Sequence, residues 1–402
     1  MSFATGWLDK RALFPAFISD KPEPDTGIII VVPACGETDA EGLLTSISRC
    51  NKPSCKTEVI IVVNASTGSS RKVIEQNESY LAELALWKKN NPAVFFSLHY
   101  FNTGLQPSGS WGVGMARRCG MDEALRRFNA INNMDGIIVN LDADCRVATD
   151  YFTSLERDFL NSMKWNGCSI RYEHPLCGNQ YPDIYYNSII KYELHLRCMV
   201  RGIAWAGLPF PFHTVGSAMG VRASAYMKVG GMNRRQAGED FYFIQKLVMM
   251  GGFFNLNSTK VFPSPRASVR VPFGTGATIT RLTTSDNEEL LTYSFDSYNE
   301  LKLMHELVQK LSLTGPKNLE KSFKLMPPGL RSFIQFENWE EKICEIWSNV
   351  SSPDAFAKRY YNWFNMFKFV KYMNFVHRSL YKMVKVQETA SRLLKESDMV
   401  EI

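Results

Sequence analysis

Three short apolar runs limit what this chain can fold into: "GIIIVVP" at Gly27–Pro33, "EVIIVVN" at Glu58–Asn64 and "GIIVN" at Gly136–Asn140. A strand with one wet face alternates polar and apolar residues. Continuous β-branched runs belong instead to strands covered on both faces, as in a parallel sheet with helices on either side. The intervening segments supply such helices. "GLLTSISRC" follows the loop "ACGETDAE", where Thr38 or Asp39 is placed to cap it. "SSRKVIEQNESYLAELALWKKN" is a polar-faced amphipathic helix, "AVFFSLHYF" a further strand, "NTGLQPSGSW" a polar loop and "GMARRCGMDEALRRF" another helix. The expected class is α/β, an open, mostly parallel twisted sheet flanked by helices.

From Tyr151 the regularity loosens. Helical patterns at Tyr151–Ser162 and Ile184–Ile203 flank a strand, "CSIRYEH". A small-residue strand, "GSAMGVR", and a turn then lead to a helix opening at "GED". Beyond about Thr280 the pattern is helical to the end. Residues 1–26 read as a lead segment, 27–280 as the α/β domain and 281–402 as a helical region.

Composition excludes several functions. A net charge of +6 is too small to argue for nucleic acid. Nine cysteines without a CxxC pair or Cys/His ligand spacing read as reduced thiols in a cytoplasmic protein. The uncharged stretch Gly202–Val221 contains two prolines and a histidine, which argues against a lipid-spanning helix. "GVGMAR" at Gly112 lacks the third glycine of a dinucleotide fingerprint and follows a polar loop. No GxxxxGK[ST] or HExxH occurs. His99 and His213 read as packed residues.

Chemistry concentrates at two acidic pairs. "VNLDADCRV" carries Asp142 and Asp144 at the end of an apolar run. Two residues apart on a strand, they share a face, and a turn there brings both toward one cation. Oxygen donors favour Mg²⁺ or Mn²⁺ with positions open to phosphate; solvated capping acids are the plainer alternative. The second pair, Glu239–Asp240, opens a helix, where acids also complement the macrodipole. Open α/β sheets bind ligands beyond the carboxyl ends of their strands. "ACGE", Asn64 and the Asp142/Asp144 pair all lie at such ends.

Taken in order, "VVPACGE", "EVIIVVNAS", "GMARRCGMDEAL", "NLDADCRV", "GSAMGVRASAYMKVGGM" and "GEDFYFIQKL" resemble a GT-A fold glycosyltransferase of family 2, over roughly residues 27–270. The resemblance implies a nucleotide-sugar-binding and catalytic domain at 27–280. It implies that Pro33, Ala34, Cys35, Glu37 and Asn64 cradle base and ribose, with Asn64 standing where relatives often have Asp. It places Arg117 near the diphosphate, Asp142 at ribose or metal, Ala143 beside the nucleotide sugar, and Asp142 and Asp144 on Mn²⁺ or Mg²⁺. Asp240 would be general base of an inverting transfer and Glu239 an orienting acid. The donor would be UDP- or GDP-linked, and the acceptor a saccharide, lipid or small molecule. A retaining transferase, or a non-catalytic binder of the same fold, is the alternative.

Two departures stand out. The Gln-x-x-Arg-Trp element of processive synthases is absent. Many metal-dependent relatives carry a further histidine ligand after the acidic pair, but here no histidine follows Asp240 until His305, and the expected region reads "VFPSPRASVRVPFGTG". Arg266 and Arg270 occupy that region, either substituting for a cation or as strand-edge arginines. Finally, residues 355–387 hold seven Lys/Arg, many aromatics and no acid. Such a helix either lies on an anionic membrane surface or packs its aromatic face on the catalytic domain with its lysines in water.

Overall fold

The structure is a computed structural model describing residues 2–109, 111–233, 238–268, 274–284, 289–316, 319–336 and 338–398. The chain forms two compact units, Met1–Tyr186 with Thr214–Ala277, and Asn187–His213 with Thr278–Ile402.

In the first unit the order is α1 (Thr5–Arg11), β1 (Thr26–Ala34), α2 (Ala40–Ser48), β2 (Lys56–Ser66), α3 (Arg71–Asn90), β3 (Phe96–Gln106), α4 (Val113–Ala130), β4 (Ile137–Asn140), β5 (Arg146–Val147) and α5 (Tyr151–Leu155). A π-turn at Glu156–Leu160 extends α5, followed by β6 (Gly167–Tyr172). Helix α6 (Asp183–Trp205) begins here and continues in the second unit. After it come β7 (Met219–Arg222), α7 (Ala223–Lys228), α8 (Glu239–Met250), β8 (Phe253–Phe262) and α9 (Thr275–Thr284), the last of which runs on into the second unit.

The eight strands form one sheet in the order β3-β2-β1-β4-β7-β6-β8-β5. Strands β1, β2, β3 and β4 are mutually parallel where paired, whereas β7 is antiparallel to both β4 and β6. The apolar runs occupy the middle: Ile28–Val32 and Val59–Val63 are fully buried. Because β2 and β3 lie on one side of β1 and β4 on the other, the chain reverses direction across the sheet between β1 and β4. In open α/β sheets ligands bind beyond the carboxyl ends of the strands at such a reversal.

Local signals explain the helix starts. Asp39 caps α2 by accepting from the Gly42 N–H at 2.8 Å, and Ser70 caps α3 through Val73. The lead segment is tied to α4: Asn129 Oδ1 accepts from the Ala4 N–H at 2.8 Å, and Glu123 accepts from the N–H groups of Phe17 and Ile18.

Three local expectations need correction. Asn102–Gln106 continues β3 instead of opening a loop, because Leu105 and Gln106 pair with Ala65 and Ser66 on an edge where polar side chains reach water. The strand β8, "FFNLNSTKVF", shows no clear alternation, and its pairing with β6 and β5 is what makes it a strand. The fourth strand stops at Asn140, so Asp142 and Asp144 lie in the turn beyond it and not on a pleated face.

The second unit is helical: α10 (Phe295–Thr314), α11 (Leu319–Lys324), α12 (Pro328–Phe336), α13 (Trp339–Ser348), α14 (Pro353–Trp363), α15 (Met366–Ser379) and α16 (Val386–Asp398). Two-residue strands β9 (Leu291–Thr292) and β10 (Val384–Lys385) pair antiparallel. Helix α15 buries Met366, Phe369, Tyr372, Met373 and Val376, with Tyr372 edge-on to Phe333 of α12. Its aromatic face is therefore covered by neighbouring helices of the same unit, while Lys371, Arg378 and Lys382 are exposed. No helix among the described residues is long and apolar enough to cross a membrane.

Candidate functional site

Beyond β4 the chain turns sharply. The Cys145 N–H donates to the Asp142 carbonyl at 3.0 Å, and Ala143 between the acids is buried. The two carboxylates flank this tight turn, with Asp142 36% and Asp144 26% exposed at the side chain. Each is held by a different arginine.

Arg117, on α4 and almost wholly buried, donates through Nη2 to Asp142 Oδ1 at 2.6 Å and through Nη1 to Glu239 Oε1. It thereby joins the turn after β4 to the first turn of α8. Two glycines permit this. Gly238 sits at φ +70°, a left-handed conformation that delivers the chain into α8. At Gly216 a Cβ would come within 2.4 Å of Arg117 Nη1, so any side chain there displaces the guanidinium.

Burial works against the charge on Arg117, yet Asp142, Glu239 and Asp240 together raise its pKa and keep it charged. Burial pushes the Glu239 carboxyl up to about 7, with Arg117 opposing and Asp240 adding to the rise. Asp240 is raised too, first by burial, and again Arg117 opposes. The neighbours differ in access. Glu239 is 2% exposed and spent on Arg117, whereas Asp240 is half-buried and accepts from the Phe241 N–H at 2.7 Å.

Arg266, in the coil after β8, makes the second bridge. Its Nε donates to Asp144 Oδ2 at 2.7 Å, and its Nη2 donates to both oxygens of Glu37 at 2.9 and 2.8 Å. The pairing of β5 with β8 (Arg146 with Phe262, Val147 with Val261) carries this coil past the Asp144 turn. Arg270, the other arginine of the region, lies outside the described residues.

The loop after β1 is fixed from beneath. Pro33 and Ala34 are the buried last residues of β1, Cys35 is half-buried, and Glu37 is 7% exposed. Asn77 Oδ1 accepts from the Gly36 N–H at 2.7 Å, and Asn77 Nδ2 donates to the Asn64 carbonyl at 2.8 Å. Asn64 is turned inward. Its Nδ2 donates to the Ala34 carbonyl at 2.8 Å, and its Oδ1 accepts from the Trp111 indole at 3.0 Å. Both ends of the amide thus bond to neighbouring protein groups, and Asn64 braces the loop. Nothing in the local spacing marked Trp111 or Asn77 as its partners.

Whether a divalent ion suits these residues follows from charge and donor type. Among the described residues the cluster holds five carboxyls (Glu37, Asp142, Asp144, Glu239, Asp240) and two guanidiniums. An anionic diphosphate enters such a surplus of negative charge only with an added cation. No group of three or more His, Cys, Asp or Glu side chains among those residues could hold a metal ion. One or two carboxylates completed by phosphate oxygens and water is nonetheless the usual coordination of Mg²⁺. Asp142 and Asp144 therefore fit an ion that arrives with a diphosphate, and do not fit a permanently held one.

No protein-family model matches the chain, and no curated protein is found to be similar to it. Among solved structures it is similar to residues 1–349 of S. aureus TarS, with a TM-score of 0.41 and 12% identity, over 84% of this chain and 92% of that one. The same protein in complex with UDP-GlcNAc gives 0.42 and 11% over the same spans. The mannosyltransferase PcManGT from Pyrobaculum calidifontis, in complex with GDP-Man and Mn²⁺, gives 0.39 and 14% over 97% of this chain and 93% of that one. At such scores and identities none of these likenesses assigns a ligand or an activity to the chain.

Proposed function

We propose that the chain is a glycosyltransferase moving one sugar from a nucleoside-diphosphate sugar to an acceptor hydroxyl, with inversion. The observation that carries this reading is Arg117, one buried guanidinium holding Asp142 at the strand end and Glu239 at the start of α8. On this reading the bridge keeps the acid assigned to the diphosphate and the acid assigned to the acceptor in one cluster, which supports a transfer with a positioned general base.

The roles divide by access. Asp240, half-buried and raised in pKa, is the general base that takes the proton from the attacking hydroxyl. Glu239, locked on Arg117, orients it. The loop of Pro33, Ala34, Cys35 and Glu37, braced by Asn64, receives the nucleoside. Asp144 and Asp142 would hold a Mn²⁺ or Mg²⁺ ion, which when bound supplies charge neutralisation at the leaving diphosphate.

The test is turnover of a panel of UDP- and GDP-sugars with Mn²⁺ or Mg²⁺, against Asp144→Ala. Divalent-dependent release of nucleoside diphosphate that is lost in the variant supports the reading. Absence of turnover with every donor refutes it, and the anomeric configuration of the product decides between inversion and retention.

A further inference from the structure

Arg266 has a position that the transferase reading leaves unexplained. It bonds at once to Asp144, on the diphosphate side, and to Glu37, in the nucleoside loop, so a single guanidinium clasps the two halves of the crevice. The contact with Glu37 reaches both carboxylate oxygens. The contact with Asp144 occupies an oxygen that a divalent ion would need. A guanidinium at that distance is itself a cation in the ion's place, and two cations cannot share one carboxylate oxygen without strong repulsion.

The geometry also shows where Arg266 can go. Nε and Nη2 make its hydrogen bonds, and Nη1 makes none among the described residues. Its side chain is 27% exposed. Its backbone follows β8, which is held to β5 and β6, while the side chain is long enough to turn about a fixed anchor.

We propose, resting on the transferase reading, that Arg266 is a stand-in cation. It holds Asp144 closed while the site is empty, and it releases Asp144 when a divalent ion enters together with a nucleoside diphosphate, whose phosphate oxygens then take over the guanidinium. Ion and nucleotide bind as a coupled pair as a consequence, and the ion alone binds weakly. Arg266 is in these terms a positioning residue that makes metal loading conditional on donor.

The test is binding, without turnover. Free Mn²⁺ is followed by electron paramagnetic resonance in titrations of the full chain, alone and with UDP or GDP, for wild type, Arg266→Ala, Arg266→Lys and Asp144→Asn. Arg266→Ala is expected to bind Mn²⁺ alone about tenfold more tightly than wild type, the order of one partly buried ion pair. The same variant should lose most of the mutual enhancement between Mn²⁺ and nucleotide, and Arg266→Lys should restore part of it. In the Asp144→Asn background, Arg266→Ala should leave Mn²⁺ affinity unchanged. Equal Mn²⁺ affinity in folded wild type and Arg266→Ala overturns the inference while leaving the transferase reading intact, provided nucleotide still binds. Failure of wild type to bind either nucleotide under any condition overturns both.

Discussion

Arg117 Nη2 lies 2.6 Å from Asp142 Oδ1, on a side chain that is only 5% exposed and whose other Nη bonds Glu239. The Nε of the same guanidinium is buried with no partner among the described residues. A desolvated cation is therefore retained for two acids that come from elements far apart in the chain. Removing one member of such a buried set strands the others.

Arg117→Met should accordingly destabilise the fold by about 3–5 kcal/mol, because it leaves Glu239 buried without its counter-ion. Adding Glu239→Gln should recover a large part of that loss. Urea denaturation of the two single variants and the double variant measures the coupling; additive losses would contradict a shared ion pair.

Asp240→Asn should lower turnover by ~10²–10⁴-fold while nucleoside diphosphate binding is retained. The amide keeps the size and the acceptor for the Phe241 N–H but cannot take a proton. Steady-state kinetics beside calorimetric binding separates the two effects.

The raised carboxyls set a pH dependence. Burial raises the pKa of the base Asp240, so kcat/KM should begin to fall on acidification at a higher pH than an ordinary aspartate would give. Stability runs the other way. The folded pKa of Glu239 exceeds its ordinary 4.5, so the folded state holds the proton longer. Its stabilising contribution is full below about 4.5 and is lost as pH rises through about 7. Denaturation midpoints of wild type and Glu239→Gln across this window should diverge, wild type losing ground as pH rises.

Gly216→Ala should cost about 1–3 kcal/mol and reduce turnover, because its Cβ would stand 2.4 Å from Arg117 Nη1 and push the guanidinium off its acids. Thermal melting with activity assays checks this. A stable, fully active variant would show that the cluster tolerates a displaced Arg117.

Much of the sheet was legible. The runs at Ile28–Val32, Val59–Val63 and Ile137–Val139 are buried as their unbroken apolar character implies, and of the two expected caps Asp39 is the one that starts its helix. Strand β8 and the polar end of β3 were not, since their strand character comes from pairing partners. Asp142, Asp144, Glu239 and Asp240 could be picked out by residue type at element ends, but their partners could not. Arg117 precedes Glu239 by 122 positions, and Arg266 follows Glu37 by 229.

By itself, then, the order of residues determined which segments are strands and helices and where acids fall at their ends, because hydrophobic burial and capping act over a few neighbouring positions. Only the tertiary structure decided which cation meets which carboxylate. Ion pairing depends on distance through space, and here the strand order, the Gly238 turn and the β5–β8 pairing set those distances.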